Sequence, residues 1–344
     1  MLNKIKRSRF VVGASVVLGV TLALAGCGAE GKGGASADGL QPVTHQLGWI
    51  ASTQSMGEIV ALEKGYFEEE GLDVTIELGG PNVDGVAVVA SGRADVGSVS
   101  SSPSLLLAAS QGIPVQAIAV GGQQHPYGFV SMPDSGITTP EDLKGKKIGT
   151  TSTGFVLVDA LIRANNMEPD AVEKVPTGTE LTPLLTGQVD AFGAWKSNAS
   201  WLRQLPEDYN FVPLWDNGVQ LYPLPYYATR DTVAKDPEML EKFIRATARG
   251  WQFARDNTEE AVKILVEAYP NLKYEDEIQG AKALLPYIFN EQTEASGWGA
   301  ADVEVWDRQI ELLDSVGAFS AGAPKTEEVY TDVILEATTD ARKH

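Results

Sequence analysis

The sequence predicts an α/β protein: two sets of parallel-rich strands with helical cover, completed by a helical C-terminal part. Three observations predict it. From Pro42 to Leu214, short apolar strands alternate with helical segments that often close on a glycine. The alternation runs through twice, with one string of residues repeated. After Tyr227 it gives way to helices alone. Alternating strands and helices imply parallel sheets with helices on their faces, and two such sets imply two lobes.

Residues 43–49 read as a first strand and 56–64 as a helix stopped by Gly65. Leu72, Val74, Ile76 and Leu78 alternate as a half-buried strand should. Gly79-Gly80-Pro81-Asn82 is a turn, 83–91 a helix closed by Gly92, and 94–97 a short buried strand. Ser102-Pro103 opens the next helix, since proline is tolerated at the first helical position. That helix ends at Gly112, and 115–120 is another strand. The second set starts with Thr139-Pro140, a helix that Gly145 ends. Strand 147–150, helix 155–164, strand 172–175, a helix at 180–186 closed by Gly187, and strands 189–193 and 211–214 follow. Asp236-Pro237 then opens a long helix to Ala254, with further helices at 258–268, 276–285 and 301–315. Ile244, Ala248, Trp251 and Ala254 recur at helical spacing, so Trp251 is expected in the core.

The repeated string is Ser91-Gly92-Arg93-Ala94-Asp95-Val96-Gly97 against Thr186-Gly187-Gln188-Val189-Asp190-Ala191-Phe192. Each is a helix end, a glycine, then a small apolar residue and Asp entering a strand. Duplication and shared α/β grammar both account for it.

The chain opens with Lys4, Lys6, Arg7 and Arg9, then runs uncharged from Phe10 to Gly26. That order is the pattern of a secretion signal. The apolar run is short for a spanning helix, which needs about 20 residues. Leu24-Ala25-Gly26-Cys27 resembles the lipobox of bacterial lipoproteins. The resemblance implies cleavage before Cys27, acylation of its sulfur, and attachment to a membrane by that lipid anchor only. The Gly-, Ala- and Ser-rich stretch from Gly28 to Gly39 reads as a flexible spacer.

The chain carries 27 basic and 46 acidic side chains; without the four basic residues of the signal the balance is 23 against 46, or −23. Such a charge repels nucleic acid and anionic lipid. Cys27 is the sole cysteine, which excludes an internal disulfide or a cysteine metal site. The only histidines are His45, His125 and His344, and no HExxH, GxSxG or GxxxxGKS string occurs. No catalytic residue, metal or cofactor is expected.

In open α/β sheets ligands sit beyond the carboxyl ends of strands, so the candidate site residues are those that follow each strand. Trp49 and Gln54 follow the first, Asn82 the second, Ser98 and Ser100 the third, and Gln124 and Tyr127 the strand at 115–120. The second set contributes Thr153, Gly154, Trp195 and Asn198, and Tyr222 and Tyr226 come close after it. Flat rings sandwich a flat ligand while amides and hydroxyls read its edge. Lys196 is the only basic residue of these loops, so an Arg fork for an anion is lacking. Helix starts after Ser55, Ser102 and Gly154 could hold an anion without one. Other roles stay open: Trp49 as a cap on the core, serines 98 to 101 as helix caps, 151–154 as a turn and cap. Tyr222, Tyr226 and Tyr227 cannot all face one cleft, because strand neighbours alternate sides. Trp298, between glycines, fits a lid or a packed loop, and His125, before a proline, reads as structural.

Gly65-Tyr66-Phe67 with Glu70-Gly71-Leu72-Asp73-Val74, the string at Ser91-Gly92, and Glu141-Asp142-Leu143-Lys144-Gly145-Lys146-Lys147-Ile148-Gly149 resemble the periplasmic binding protein family that serves nitrate, sulfonate, taurine and thiamine-precursor transporters. Phe243-Ile244-Arg245-Ala246-Thr247 with Gly250-Trp251 resembles that family's C-terminal helix. The likeness covers nearly all of residues 43–320. It implies the type II fold of that family: two α/β lobes joined by two crossover strands, with C-terminal helices packed on the first lobe. The expected organisation is a signal at 1–26, a linker at 27–41, a first lobe at 42–130, a second at 131–227, and a return to the first over 228–344. The crossings would lie near Gly128-Val130 and Tyr226-Thr229.

Gly79-Gly80-Pro81-Asn82-Val83, Gln124-His125-Pro126 and Gly297-Trp298-Gly299 look most like the branch that binds thiamine pyrimidines or riboflavin. Ser101-Ser102-Pro103 and Trp195 are also similar to taurine and sulfonate binders. The resemblance implies a monomeric receptor that captures a small solute outside the membrane and delivers it to an ABC permease and its ATPase. The same fold family includes a thiamine-pyrimidine synthase with a cysteine-rich iron motif, which this chain lacks. A sensor or adhesion lipoprotein is a third possibility.

Overall fold

The computed structural model describes residues 39–343; the signal, Cys27 and most of the spacer lie outside them. The strands are β1 (Gln41–Gln46), β2 (Leu72–Glu77), β3 (Val96–Ser98), β4 (Val115–Val120), β5 (Tyr127–Ser131), β6 (Lys147–Thr150), β7 (Glu173–Pro176), β8 (Ala191–Trp195), β9 (Asn210–Pro213) and β10 (Pro225–Thr229). They form two five-stranded sheets, ordered β2-β1-β3-β10-β4 and β7-β6-β8-β5-β9. β1 pairs parallel with β2 and β3, and β6 parallel with β7 and β8. β10 and β5 run antiparallel in the fourth position of their sheets.

The two lobes therefore exchange a strand. β5 enters the second sheet directly after β4 of the first, and β10 enters the first directly after β9 of the second. This corrects the expected crossings. Gly128–Val130 and Tyr226–Thr229 lie inside sheets, and the chain passes between them at 121–126 and 214–224, a few residues before the expected boundaries at 130 and 227. Pairing of each exchanged strand with residues 60 or more positions away is a tertiary fact that local periodicity does not carry.

Other shifts are local. The helix expected after Thr139-Pro140 is one 3-10 turn, Pro140–Leu143, in which the Asp142 carboxylate accepts the Thr139 N–H at 2.9 Å. β8 runs two residues past Gly193, so Trp195 is its last residue. Short helices Thr326–Val329 and Val333–Ala337 and a 3-10 turn at Thr339–Arg342 follow the last helix that the sequence predicts.

The repeated string has a structural counterpart. Thr44 N–H donates to the Asp95 carboxylate at 2.8 Å, and Asp95 N–H donates back to Thr44 O at 2.9 Å. In the second lobe Lys147 N–H and Asp190 make the same exchange, both bonds at 2.8 Å. Each Asp thus fastens the start of a third strand to the first. Gly92 and Gly187, at φ +70° and +71°, end the preceding helices where a side chain would strain.

Helix Pro237–Asp256 covers the first sheet. Asp236 caps it by accepting the Met239 N–H, and Pro237 occupies its first position. Phe243, Ile244, Thr247, Ala248, Trp251 and Ala254 form its buried stripe. It crosses helix Met56–Glu63 at Gly57 and Gly250, where a Cβ on Gly250 would lie 2.0 Å from Gly57 O. Trp251 is wholly buried, as its spacing predicts. No helix among the described residues is long and apolar enough to cross a membrane.

Candidate functional site

A cleft of about 810 Å³ is lined from the carboxyl ends of strands in both sheets. The stretch after β1 brings Trp49 to Gln54. Leu47 N–H donates to Glu77 O at 2.8 Å and Gly79 N–H to Trp49 O at 3.1 Å, which ties this stretch to β2. Gly48 permits close approach to β3, for a Cβ there would lie 2.6 Å from Ser98 O. Trp49 is thereby held half-buried at the rim of the first lobe.

Trp195 answers from the second lobe at the end of β8, its ring 4.8 Å from that of His125. His125 is buried in the connection between β4 and β5. Its Nδ1 accepts the Tyr127 N–H at 3.2 Å, so Nε2 carries the proton and donates to Ser101 Oγ at 2.9 Å. Burial lowers its pKa to about 3, which keeps the ring neutral. The structural role expected for His125 is the one it has. Tyr127 and Thr150 line the cleft with their hydroxyls 3.1 Å apart; burial pushes the tyrosine up to about 12.

The charged residues of the lining are all acidic: Asp84, Glu180, Asp276 and Glu277. Asp84 accepts the Ala87 N–H and caps the helix Gly85–Ala90. Asp276 pairs with Arg203. Glu277 accepts the Thr53 N–H at 3.0 Å, and burial raises its pKa. Among the described residues no Lys, Arg or His lines the cleft. Lys196 turns its ammonium onto the rings of Tyr209 and Phe211, 5.0 and 4.5 Å from their centroids.

Of the sequence-derived candidates, Trp49, Gln54, Ser100, Thr153, Gly154, Trp195 and Asn198 converge on the cleft. Asn82 is exposed beside the lining residues Pro81 and Val83. Gln124 is tied by its N–H to Tyr287 O at 3.3 Å and is not part of the lining. Ser98 and Tyr226 border a separate small void of about 20 Å³ that also touches Trp49 and Gln54.

The two tyrosines after the second set belong to the core. Tyr222 O–H accepts the Asp302 N–H at 2.7 Å and packs on Trp306. Tyr226 O–H donates to Glu58 at 2.8 Å and accepts from Trp251 Nε1–H at 3.0 Å. Both faces of β10 are covered, so side chains that alternate across it meet packed residues on either side. Trp298 is also core, with its ring 5.5 Å from that of Tyr226.

The sequence reading did not pick out Thr150, Ser197, Asp276 or Glu277. Thr150 is the last residue of β6, where the strand-end rule finds it. The acids arrive on helix Tyr274–Ile288, which reaches the cleft only through packing against both lobes.

The sequence model of the NMT1/THI5-like family matches residues 52–261, more than half of the chain. A riboflavin-binding protein of Chloroflexus aurantiacus is 26% identical over 82% of this chain and 83% of its own. A formylaminopyrimidine-binding protein of Halalkalibacterium halodurans is 26% identical over 81% of this chain and 86% of its own. Synthases of 4-amino-5-hydroxymethyl-2-methylpyrimidine phosphate match over shorter stretches. In three dimensions the chain resembles the periplasmic aliphatic sulphonate binding protein of Escherichia coli, with a TM-score of 0.64 at 15% identity over 83% of this chain and 91% of that one. That likeness concerns the fold, a two-lobed periplasmic binding protein. The chain belongs to the NMT1/THI5-like family.

Proposed function

We propose that this protein is a solute receptor that captures a small flat heteroaromatic molecule, of the thiamine-pyrimidine or riboflavin type, between its lobes. One observation carries the reading: the cleft offers Trp49 and Trp195 from opposite lobes, with acids and no cation around them. Indole rings suit a flat π-system, and a lining whose charges are acidic, with only Asp276 answered by an arginine, disfavours nitrate or a sulfonate. The relatives that bind riboflavin and formylaminopyrimidine support the same choice.

In this reading the chain catalyses nothing. Closure of the lobes buries the solute and completes the surface that an ABC permease, with its ATPase, recognises; the solute favours the closed form by binding it better. Acylated Cys27 would hold the receptor, as a monomer, on the extracytoplasmic side of the membrane.

A thermal-shift screen against pyrimidines, flavins, sulfonates, nitrate and taurine identifies the ligand class, because a tight binder stabilises the folded form by mass action. Trp49→Ala and Trp195→Ala should then each weaken the solute by about 1–3 kcal/mol in calorimetry. Unchanged affinity in both variants would rule out the aromatic clamp. A hit confined to nitrate, taurine or sulfonates would replace this reading with an anion receptor.

A further inference from the structure

Helix Tyr274–Ile288 presents two adjacent acids to the cleft, and they are answered differently. Asp276 has Arg203 as its ion-pair partner. Glu277 accepts one N–H, from Thr53, and meets no cation within ion-pair reach among the described residues. One turn further on, Gly280 lies against the opposite lobe. A Cβ there would sit 2.6 Å from Ser197 O and 3.2 Å from Thr53 Oγ1. Positions three apart share a helix face, so Glu277, Thr53 and Ser197 converge on one corner of the cleft. Ser197 is 5% exposed and lines the cavity, and its Oγ has no hydrogen-bond partner among the described residues. Buried hydroxyls without a partner are rare in folded proteins, and one on a residue of a cavity wall points to a group that arrives when the lobes move.

We propose that Glu277 and Ser197 together read a donor-bearing edge of the solute: an amino, amidine or ring N–H group, neutral or cationic. The assignment rests on the heteroaromatic reading above and adds which edge is recognised and by what. Glu277 supplies the charged acceptor, and the Ser197 hydroxyl can give or take one bond beside it. Because Thr53 and Ser197 come from different lobes, a solute engaged at this corner bridges them.

Calorimetric titration of the full chain tests this with two pairs of probes: riboflavin against its N-methylated imide, and the aminopyrimidine 4-amino-5-hydroxymethyl-2-methylpyrimidine against its dimethylamino counterpart. In the unsubstituted protein the donor-bearing member of a pair should bind about ten-fold tighter or more. Glu277→Gln, which keeps an acceptor for the Thr53 N–H, should erase most of that preference. Ser197→Ala should weaken only the donor-bearing member. The same preference in Glu277→Gln as in the unsubstituted protein, with Trp49→Ala still losing affinity, overturns the assignment and leaves the heteroaromatic reading standing. Failure of both riboflavin and the aminopyrimidine to bind at millimolar concentration overturns the assignment and the heteroaromatic reading together.

Discussion

The two lobes are built to one plan and finished differently. Each sheet takes its exchanged strand in the fourth position. Each third strand is fastened by an Asp that trades backbone bonds with the first, Asp95 with Thr44 and Asp190 with Lys147. Each exchanged strand sets a tyrosine over a glycine of the third strand: Tyr227 over Gly97, Tyr127 over Gly193. The finish then diverges. The first lobe gathers the C-terminal helices into one large core and buries a polar set, Glu58, Tyr226 and Trp251, inside it. The second lobe has two smaller clusters and turns Tyr127 toward the cleft. The shared features hold strands together, and the cleft is lined mainly by features that the repeat does not share.

Substituting the paired glycines tests that division and should have the largest effect. A Cβ on Gly97 would lie 2.4 Å from Tyr227 Cζ, and one on Gly193 would lie 1.9 Å from the Tyr127 hydroxyl oxygen and 3.0 Å from Thr150 Oγ1. Either alanine forces an aromatic ring aside, which costs about 1–3 kcal/mol in a packed site. Denaturant unfolding should show a similar loss for both. Solute affinity should fall only in Gly193→Ala, because Gly193, Tyr127 and Thr150 line the cleft and Gly97 and Tyr227 do not. Equal loss of affinity in the two variants would break the contrast between a structural and a functional tyrosine.

The same division explains what was legible in the sequence. The strand Val115–Val120, the strand Lys147–Thr150 and the helices Phe155–Ala164 and Thr258–Ala268 sit where apolar spacing and glycine stops place them. Their signals are local. The family resemblance implies crossings near residues 128–130 and 226–229, but these segments lie within sheets, because membership of the far sheet is decided by pairing with distant partners. In the site, Trp49 and Trp195 were found because a strand end is a local feature with a known direction. Tyr226 is expected in the cleft because it flanks the expected second crossing, but it lies inside β10, whose side chains face covered surfaces. Glu277 gave no local sign at all. It belongs to an ordinary acidic first helical turn, and only Gly280 against Ser197 brings that turn to the cleft.

His125 sits where the lobes meet, bonded to Ser101 of one and packed at a tilt against Trp195 of the other. It sharpens the comparison through pH. In the unfolded chain the imidazole takes a proton near its ordinary value of 6.5, whereas in the folded protein it resists until about 3. Between those values the unfolded state holds the extra proton. Stability from this group is therefore complete above about pH 6.5 and falls toward acid by about 1.4 kcal/mol per pH unit. His125→Gln retains a donor and an acceptor without the titration. Its unfolding free energy should fall less steeply between pH 6 and pH 4 than that of the unsubstituted protein. Parallel profiles would mean that the junction opens and admits the proton before the lobes unfold.

The smallest effect concerns the repeat itself. Asp95→Ala and Asp190→Ala each remove a carboxylate that accepts one backbone N–H, and both positions keep some solvent access. A freed N–H near water is partly resatisfied, so each loss should be about 1 kcal/mol, at the low end for a charge-assisted bond. Asp95 is half-buried and Asp190 exposed, so the first should cost more than the second. The two lie in different sheets and share no partner, so the double variant should sum the singles to within about 0.5 kcal/mol. Measured by urea unfolding, such additivity would identify the repeated Asp as an independent fastener in each lobe. A double loss well below the sum would mean that the two corners are coupled through the lobe junction and that neither Asp fastens its lobe independently.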